Sequence, residues 1–273
     1  MPTKYADVQG YATYYYYVGK TTLPDVTPDL SRGRRLLLIH AAGSNGHAWH
    51  YQYDHLGQAH SPVALDLPGH DRSSGVEGLP SVQDYADFVA RFLDTLKIDS
   101  TVLVGRSMGG AVAMDFAVRY PSRVQALVLI ATSAKFAIPQ DLIDTWRAVT
   151  MGRAGQPFNN AGYSPKTVST RPEVIREGWG EQIRTDPRVR WGDIVACTEV
   201  DLRDQLARIS QPALIIAGAD DETTPPAMAE ALKAGIKGSR LEVIADAGHS
   251  VTTEQPAAVN AAIEQFLTGL RNS

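Results

Sequence analysis

The reading of this chain turns on Thr101-Val-Leu-Val-Gly105-Arg106-Ser107-Met108-Gly109-Gly110-Ala-Val-Ala-Met114. Its apolar start, rich in Val and Leu, predicts a buried parallel strand. The chain turns abruptly at Gly105, and the small and apolar residues of 111–120 predict a packed helix. Gly105-x-Ser107-x-Gly109 therefore sits in the strand-turn-helix setting that gives the pattern chemical meaning. Such a turn strains its middle residue, so the neighbours two positions away must be small. It holds a serine oxygen clear of the sheet at a helix N-terminus, where amide dipoles favour developing negative charge.

On either side of this stretch, apolar strands alternate with amphipathic helices. Strands are predicted at 35–39, 62–66, 124–131, 213–217 and 241–244, and helices near 47–56 and at 81–96, 227–236 and 256–270. The helix at 81–96 opens on a capping serine with an acid three residues later, Ser81 and Asp84. Two further short strands are predicted in 8–18, joined at Gly10, with the run Tyr14 to Tyr17 read as a half-buried edge strand. Residues 20–34 read as a surface loop. Between 132 and 206 the alternation stops, and the composition predicts several short helices. That segment holds Trp146, Trp179 and Trp191, read chiefly as packing for those helices. The fold class expected is α/β, a mostly parallel, doubly wound sheet with a helical cap inserted after the sixth strand. The core is expected to comprise 1–133 and 207–273, with the cap at 134–206.

Composition narrows the function. The 273 residues are 44% hydrophobic and 21% charged with a net charge of -4 and no basic stripe, which argues against nucleic acid as a partner. The single cysteine, Cys197, excludes an internal disulfide and reads as a filler thiol. No apolar stretch approaches the roughly 18 residues of a membrane helix, and the first residues carry no basic-then-apolar leader pattern. A cytoplasmic protein with no membrane partner is the expectation.

A serine nucleophile needs a base and the base an orienting acid. Six of the seven histidines lie at or before His70, and only His249 follows Ser107. It comes directly after the strand at 241–244, in Ala247-Gly248-His249. The acid candidates follow the strand at 213–217. Asp221, three residues after Gly218 and four before Pro225, is preferred, and Asp220 is the second choice, expected to be solvated. The strand at 124–131 ends without an acid, so the chain order becomes Ser, Asp, His.

Together with Ile39-His40-Ala41-Ala42-Gly43, Asp66-Leu-Pro-Gly69-His70-Asp71-Arg72-Ser73 and Glu254-Gln255-Pro256, these motifs resemble those of the α/β-hydrolase superfamily, in its carboxylesterase and lactonase branch with a helical cap. The resemblance runs from about residue 35 to the C-terminus. It implies catalysis by Ser107, Asp221 and His249, an oxyanion hole made by the backbone amides of Met108 and Ala42, and a small-molecule ester or lactone as substrate. It implies no metal and no cofactor. Two positions depart from the family pattern: Ala41 and Asp71 stand where glycine is usual. Asp tolerates the left-handed backbone that such a site requires, and a methyl at Ala41 narrows the loop. His40 is expected to prop that loop, and His47, His50, His55 and His60 to be surface or helix residues. Ser107 excludes relatives with an aspartate nucleophile. Open at this point are a carbon–carbon hydrolase, acyltransferase or lyase on the same triad, a ligand-sensing receptor of the same fold, and an anionic substrate recognised by Arg106.

Overall fold

The computed structural model describes residues 2–24, 26–158 and 160–270. Met1 and 271–273 at the ends of the expected core, Asp25 in the predicted loop and Asn159 in the predicted cap lie outside the described residues.

Eight strands form one sheet: β1 (Thr3–Val8), β2 (Tyr11–Tyr17), β3 (Arg35–Ile39), β4 (Ser61–Leu65), β5 (Thr101–Arg106), β6 (Val124–Ile130), β7 (Ala213–Gly218) and β8 (Arg240–Ile244), in the order β1-β2-β4-β3-β5-β6-β7-β8. The hairpin β1–β2 joins β4 in antiparallel fashion, and β3 to β8 are parallel. The helices of the core are α1 (His50–Leu56), α2 (Val82–Thr95) and α3 (Met108–Arg119). Four more separate β6 from β7: α4 (Gln140–Thr150), α5 (Pro165–Thr170), α6 (Pro172–Gln182) and α7 (Pro187–Glu199). The chain closes with α8 (Pro226–Gly235), the short α9 (Val251–Glu254) and α10 (Pro256–Gly269).

Covering both faces makes the apolar runs continuous, because successive strand residues point to opposite sides. Leu37, Ile39 and Leu103 join the core under α2 and α3, whereas Leu36, Leu38, Val102 and Val104 join the one under α1 and α10. Truncating a side chain as enclosed as Leu103 to alanine costs about 2–5 kcal/mol. The tyrosine run differs from the half-buried edge strand expected of it. The edge is β1, while β2 lies one strand in, between two layers of cover. Tyr15 and Tyr17 pack into the α2–α3 core and Tyr14 and Tyr16 into the other, so all four are buried.

Local signals set the helix ends. Ser81 Oγ accepts from the Asp84 amide at 3.1 Å to open α2. Pro121 stands just past Tyr120, the residue that ends α3, and proline also stands at the first helical position of α10. A 3₁₀ turn, Arg203–Arg208, precedes β7. Of the four helices between β6 and β7, α4 packs on α7, and α6 reaches the 3₁₀ turn Gly46–Trp49 and α9. No described helix is long and apolar enough to cross a membrane.

Candidate active site

β5 ends at Arg106 and α3 begins at Met108, so Ser107 occupies the whole turn, with φ 53° and ψ −120°. A left-handed φ on a non-glycine residue is strained and persists only where its surroundings hold it. Ser107 N donates to Ile130 O at 2.9 Å, and its carbonyl accepts from Gly110 N at 2.9 Å and from Thr132 Oγ1 at 2.6 Å. The flanking glycines are required by close approach. A Cβ on Gly105 would lie 2.2 Å from Gly109 O, and one on Gly109 would lie 2.2 Å from Ile39 O.

Three side chains from three strand ends form one hydrogen-bonded chain. His249 Nε2 is 3.1 Å from Ser107 Oγ, and His249 Nδ1 is 2.9 Å from Asp221 Oδ2. Asp221 also accepts from the amides of Thr223 and Thr224 at 2.8 Å each, and from Thr224 Oγ1 at 2.8 Å. Burial pushes its carboxyl up, but the hydrogen bond and charge of His249 and the Thr224 contacts outweigh that and hold it below its ordinary value. Asp220 is exposed, as expected of the second-choice acid, while Asp221 is buried.

Glu254 fixes the loop that carries His249. Its Oε1 accepts from Gly248 N at 2.8 Å and its Oε2 from Ser164 N of the cap at 2.8 Å. Gly248 permits the approach, since a Cβ there would meet Gly162 O and Tyr163 C at 2.9 Å. Glu254 stood in a recognised motif, but nothing local in the sequence gave it a partner on the cap.

On the opposite side of Ser107 lies the loop after β3. His40 is buried; its Nδ1 meets Ala41 O at 2.8 Å, and its Nε2 accepts from Leu67 N at 3.1 Å. Burial and the neighbouring His70 lower its pKa to about 3, so it is a neutral prop. Asp71 has φ 38° and takes up the left-handed backbone that a glycine usually provides. Ala42 lines the same cavity as Ser107, and Met108, first residue of α3, has an amide with no partner inside the helix.

Sequence reasoning missed the anchor of this loop. Asp193, on α7, is fully buried and accepts from Gly43 N at 2.8 Å, from Tyr85 OH at 2.6 Å and from His70 Nε2 at 2.8 Å. In sequence, an acid in a helix reads as a solvated face. The early histidines also have partners that no spacing reveals: His47 binds Glu181 and His50 binds Glu177 on α6, while His55 and His60 both face Glu264.

A cavity of about 530 Å³ lies between the strand ends and the helices that separate β6 from β7, with Ser107 and His249 in its wall. Its size suits a small organic molecule. Trp146 and Trp179 line it and Trp191 does not, so packing accounts for only part of the tryptophan content of the cap. Arg106 also lines it.

Comparison with known proteins agrees with this architecture. A model of the alpha/beta hydrolase family matches residues 36–262. The chain is 29% identical to 3-oxoadipate enol-lactonase 2 of Acinetobacter baylyi over 85% of its own length and 88% of that protein. It is 28% identical to 2-hydroxy-6-oxo-2,4-heptadienoate hydrolase of Pseudomonas putida, over 88% and 91% of the two chains. The solved structure of a hydrolase from Pseudomonas aeruginosa PA01 superposes with a TM-score of 0.83 at 28% identity, covering 96% of each chain. The chain belongs to the alpha/beta hydrolase family, and these relatives are hydrolytic enzymes.

Proposed function

We propose that this protein is a serine hydrolase that cleaves a small carboxylic ester or lactone through an acyl-enzyme, with Ser107 as nucleophile, His249 as general base and acid, and Asp221 as orienting acid. The observation that carries the reading is His249 bridging Ser107 Oγ at 3.1 Å and Asp221 Oδ2 at 2.9 Å in the wall of a cavity. The similarity to an enol-lactonase supports lactones as a substrate class.

The chemistry follows from the geometry. With Nδ1–H donated to Asp221, Nε2 is free to take the Ser107 proton while Oγ bonds to the substrate carbonyl. The resulting oxyanion is received by the amides of Met108 and Ala42, each worth about 3 kcal/mol to such an intermediate. Collapse expels the alkoxide, which takes the proton from His249; in a lactone it stays attached as a hydroxyl group. Water then gives a proton to His249 and attacks the acyl carbonyl, and the acid leaves as Ser107 recovers its proton. Residues 134–206 act as the cap that encloses the substrate.

The test is turnover of short-chain p-nitrophenyl esters and of simple lactones, paired with labelling by an organophosphonate. Ser107→Ala and His249→Ala should each lower kcat by a factor of about 10⁶, and Asp221→Asn by about 10⁴. Asp220→Asn should leave kcat within about twofold of wild type, since an exposed carboxylate contributes little. No turnover and no labelling in wild type would remove the hydrolase reading. A carbon–carbon hydrolase is the second reading, supported by the Pseudomonas putida relative; turnover of a vinylogous 1,5-diketone acid in preference to every ester would favour it.

A further inference from the structure

Two arginines line the cavity that holds Ser107, and among the described residues neither makes an ion pair. Arg106 ends β5, directly before the nucleophile, and its Nε is buried with no hydrogen-bond acceptor. Arg190 comes from the cap on α7. Its stem lies over Gly43, where a Cβ would meet Cγ at 2.5 Å, and its guanidinium carbon stands 4.6 Å from the centre of the Trp146 ring.

The nearby carboxylates are already engaged. Asp221 and Glu254 act on the charge of Arg106 but bind His249 and backbone amides, as described. Asp193, the acid that acts on Arg190, is held by His70, Tyr85 and Gly43. Of the acids in the cavity wall, Glu177 pairs with His50 and Tyr51, Glu181 pairs with His47 and Arg184, and Glu222 is exposed. Burial lowers the pKa of both arginines, and Arg106 further lowers that of Arg190, to about 10; a guanidinium keeps its proton inside proteins. Two enclosed like charges with no carboxylate bound to either guanidinium are costly, and an incoming carboxylate, with two accepting oxygens, is the group that relieves them.

We infer that Arg106 and Arg190 receive a carboxylate carried by the substrate, making acid-bearing esters or lactones the preferred substrate class. The inference rests on the hydrolase reading, because it places the acid arm beside the carbonyl presented to Ser107. The scissile bond and the arm must then share one short molecule.

Monomethyl succinate, glutarate and adipate are compared with methyl butanoate, pentanoate and hexanoate as substrates of the full chain, reading kcat/KM for each pair. Wild type should favour the acid member by about tenfold or more, through KM. That preference should collapse in Arg106→Gln and Arg190→Gln and partly return in the lysine variants. As a measure independent of variant folding, free glutarate should inhibit wild-type turnover of methyl pentanoate competitively, more strongly than butanoate does and less so at high salt. If neutral esters turn over and the organophosphonate labels, but wild type shows no acid preference or glutarate inhibits no better than butanoate, this inference fails while the hydrolase reading stands. An equal loss for both members of each pair in Arg106→Gln, with the ratio unchanged, would make Arg106 a counter-charge for Asp221 and Glu254 and would also overturn it. Failure of every ester, lactone and label would remove the hydrolase reading itself.

Discussion

The backbone amide of Gly43 donates to Asp193 Oδ2 at 2.8 Å, joining residues 150 positions apart in sequence. One belongs to the loop proposed to receive the oxyanion, and the other to a helix of the cap. Asp193 also binds His70 and Tyr85, so three groups from three parts of the chain meet at one buried carboxylate. Asp193→Asn exchanges an acceptor for a donor at that junction and leaves His70 without its counter-charge. Unfolding free energy should fall by about 3–5 kcal/mol, read by urea denaturation. kcat on a short ester should fall by about tenfold or more, as the loop loses its fixed position. Unchanged kcat in a folded variant would separate this junction from catalysis.

The same pair sets a pH dependence of stability. Burial lowers the His70 pKa, but the charge and hydrogen bond of Asp193 and the Pro68 carbonyl outweigh it, so the folded value is raised above 6.5. That contribution is fully present below the unfolded value and is lost as pH rises through the folded one. Unfolding free energy should therefore decline above pH 6.5, by up to about 1.4 kcal/mol per pH unit for one proton. This component should vanish in His70→Gln when both are unfolded in urea from about pH 6 to about pH 9. His40 acts in the opposite window: its pKa is lowered to about 3, so its contribution is lost as pH falls below 6.5. Parallel alkaline slopes in wild type and His70→Gln would rule out the pair as the source.

At the turn itself, Gly109→Ala should be among the most damaging substitutions. The added methyl meets two backbone oxygens, Ile39 O at 2.2 Å and His40 O at 2.6 Å, and neither can rotate away. A loss of about 1–3 kcal/mol or more is expected, with activity falling alongside. Gly155→Ala, where a methyl meets nothing within 4 Å, is the matched control and should leave thermal stability unchanged.

Glu254→Gln probes the hold on His249. A glutamine has one accepting oxygen for the two amides of Gly248 and Ser164, so one buried N–H faces an NH₂ group. The cost is about 1–3 kcal/mol of stability. Because the Gly248 amide precedes the base, kcat should fall by about tenfold or more with little change in KM. A rise in KM alone would place Glu254 with the cap and not with the base.

How much of this was legible in sequence depended on whether the signal was local. The elbow at Ser107, the buried strands and the acid after β7 were legible because turn sterics and strand length act within a few residues. Asp221 was separable from Asp220 by its spacing from Gly218 and Pro225, and the two differ in burial. The tyrosine run was misjudged because period alone does not reveal cover on both faces of β2. Asp193, Glu254, Arg190 and the glutamates facing the early histidines were illegible for a shared reason. Each meets a group 80 or more residues away in sequence, a partner that only the tertiary fold selects.

Asp193 also bears on how such proteins diversify. Substrate range in a chain of this design invites change by recombining caps, since the serine, histidine and acid all stay behind on the sheet. Here a transplanted cap would remove the acceptor of Gly43 and leave His70 and Tyr85 without the carboxylate they bind. A donor segment must bring its own carboxylate at that position, or the recipient must lose His70 first. On the proposed reading, the cap and the loop beneath it can change only together.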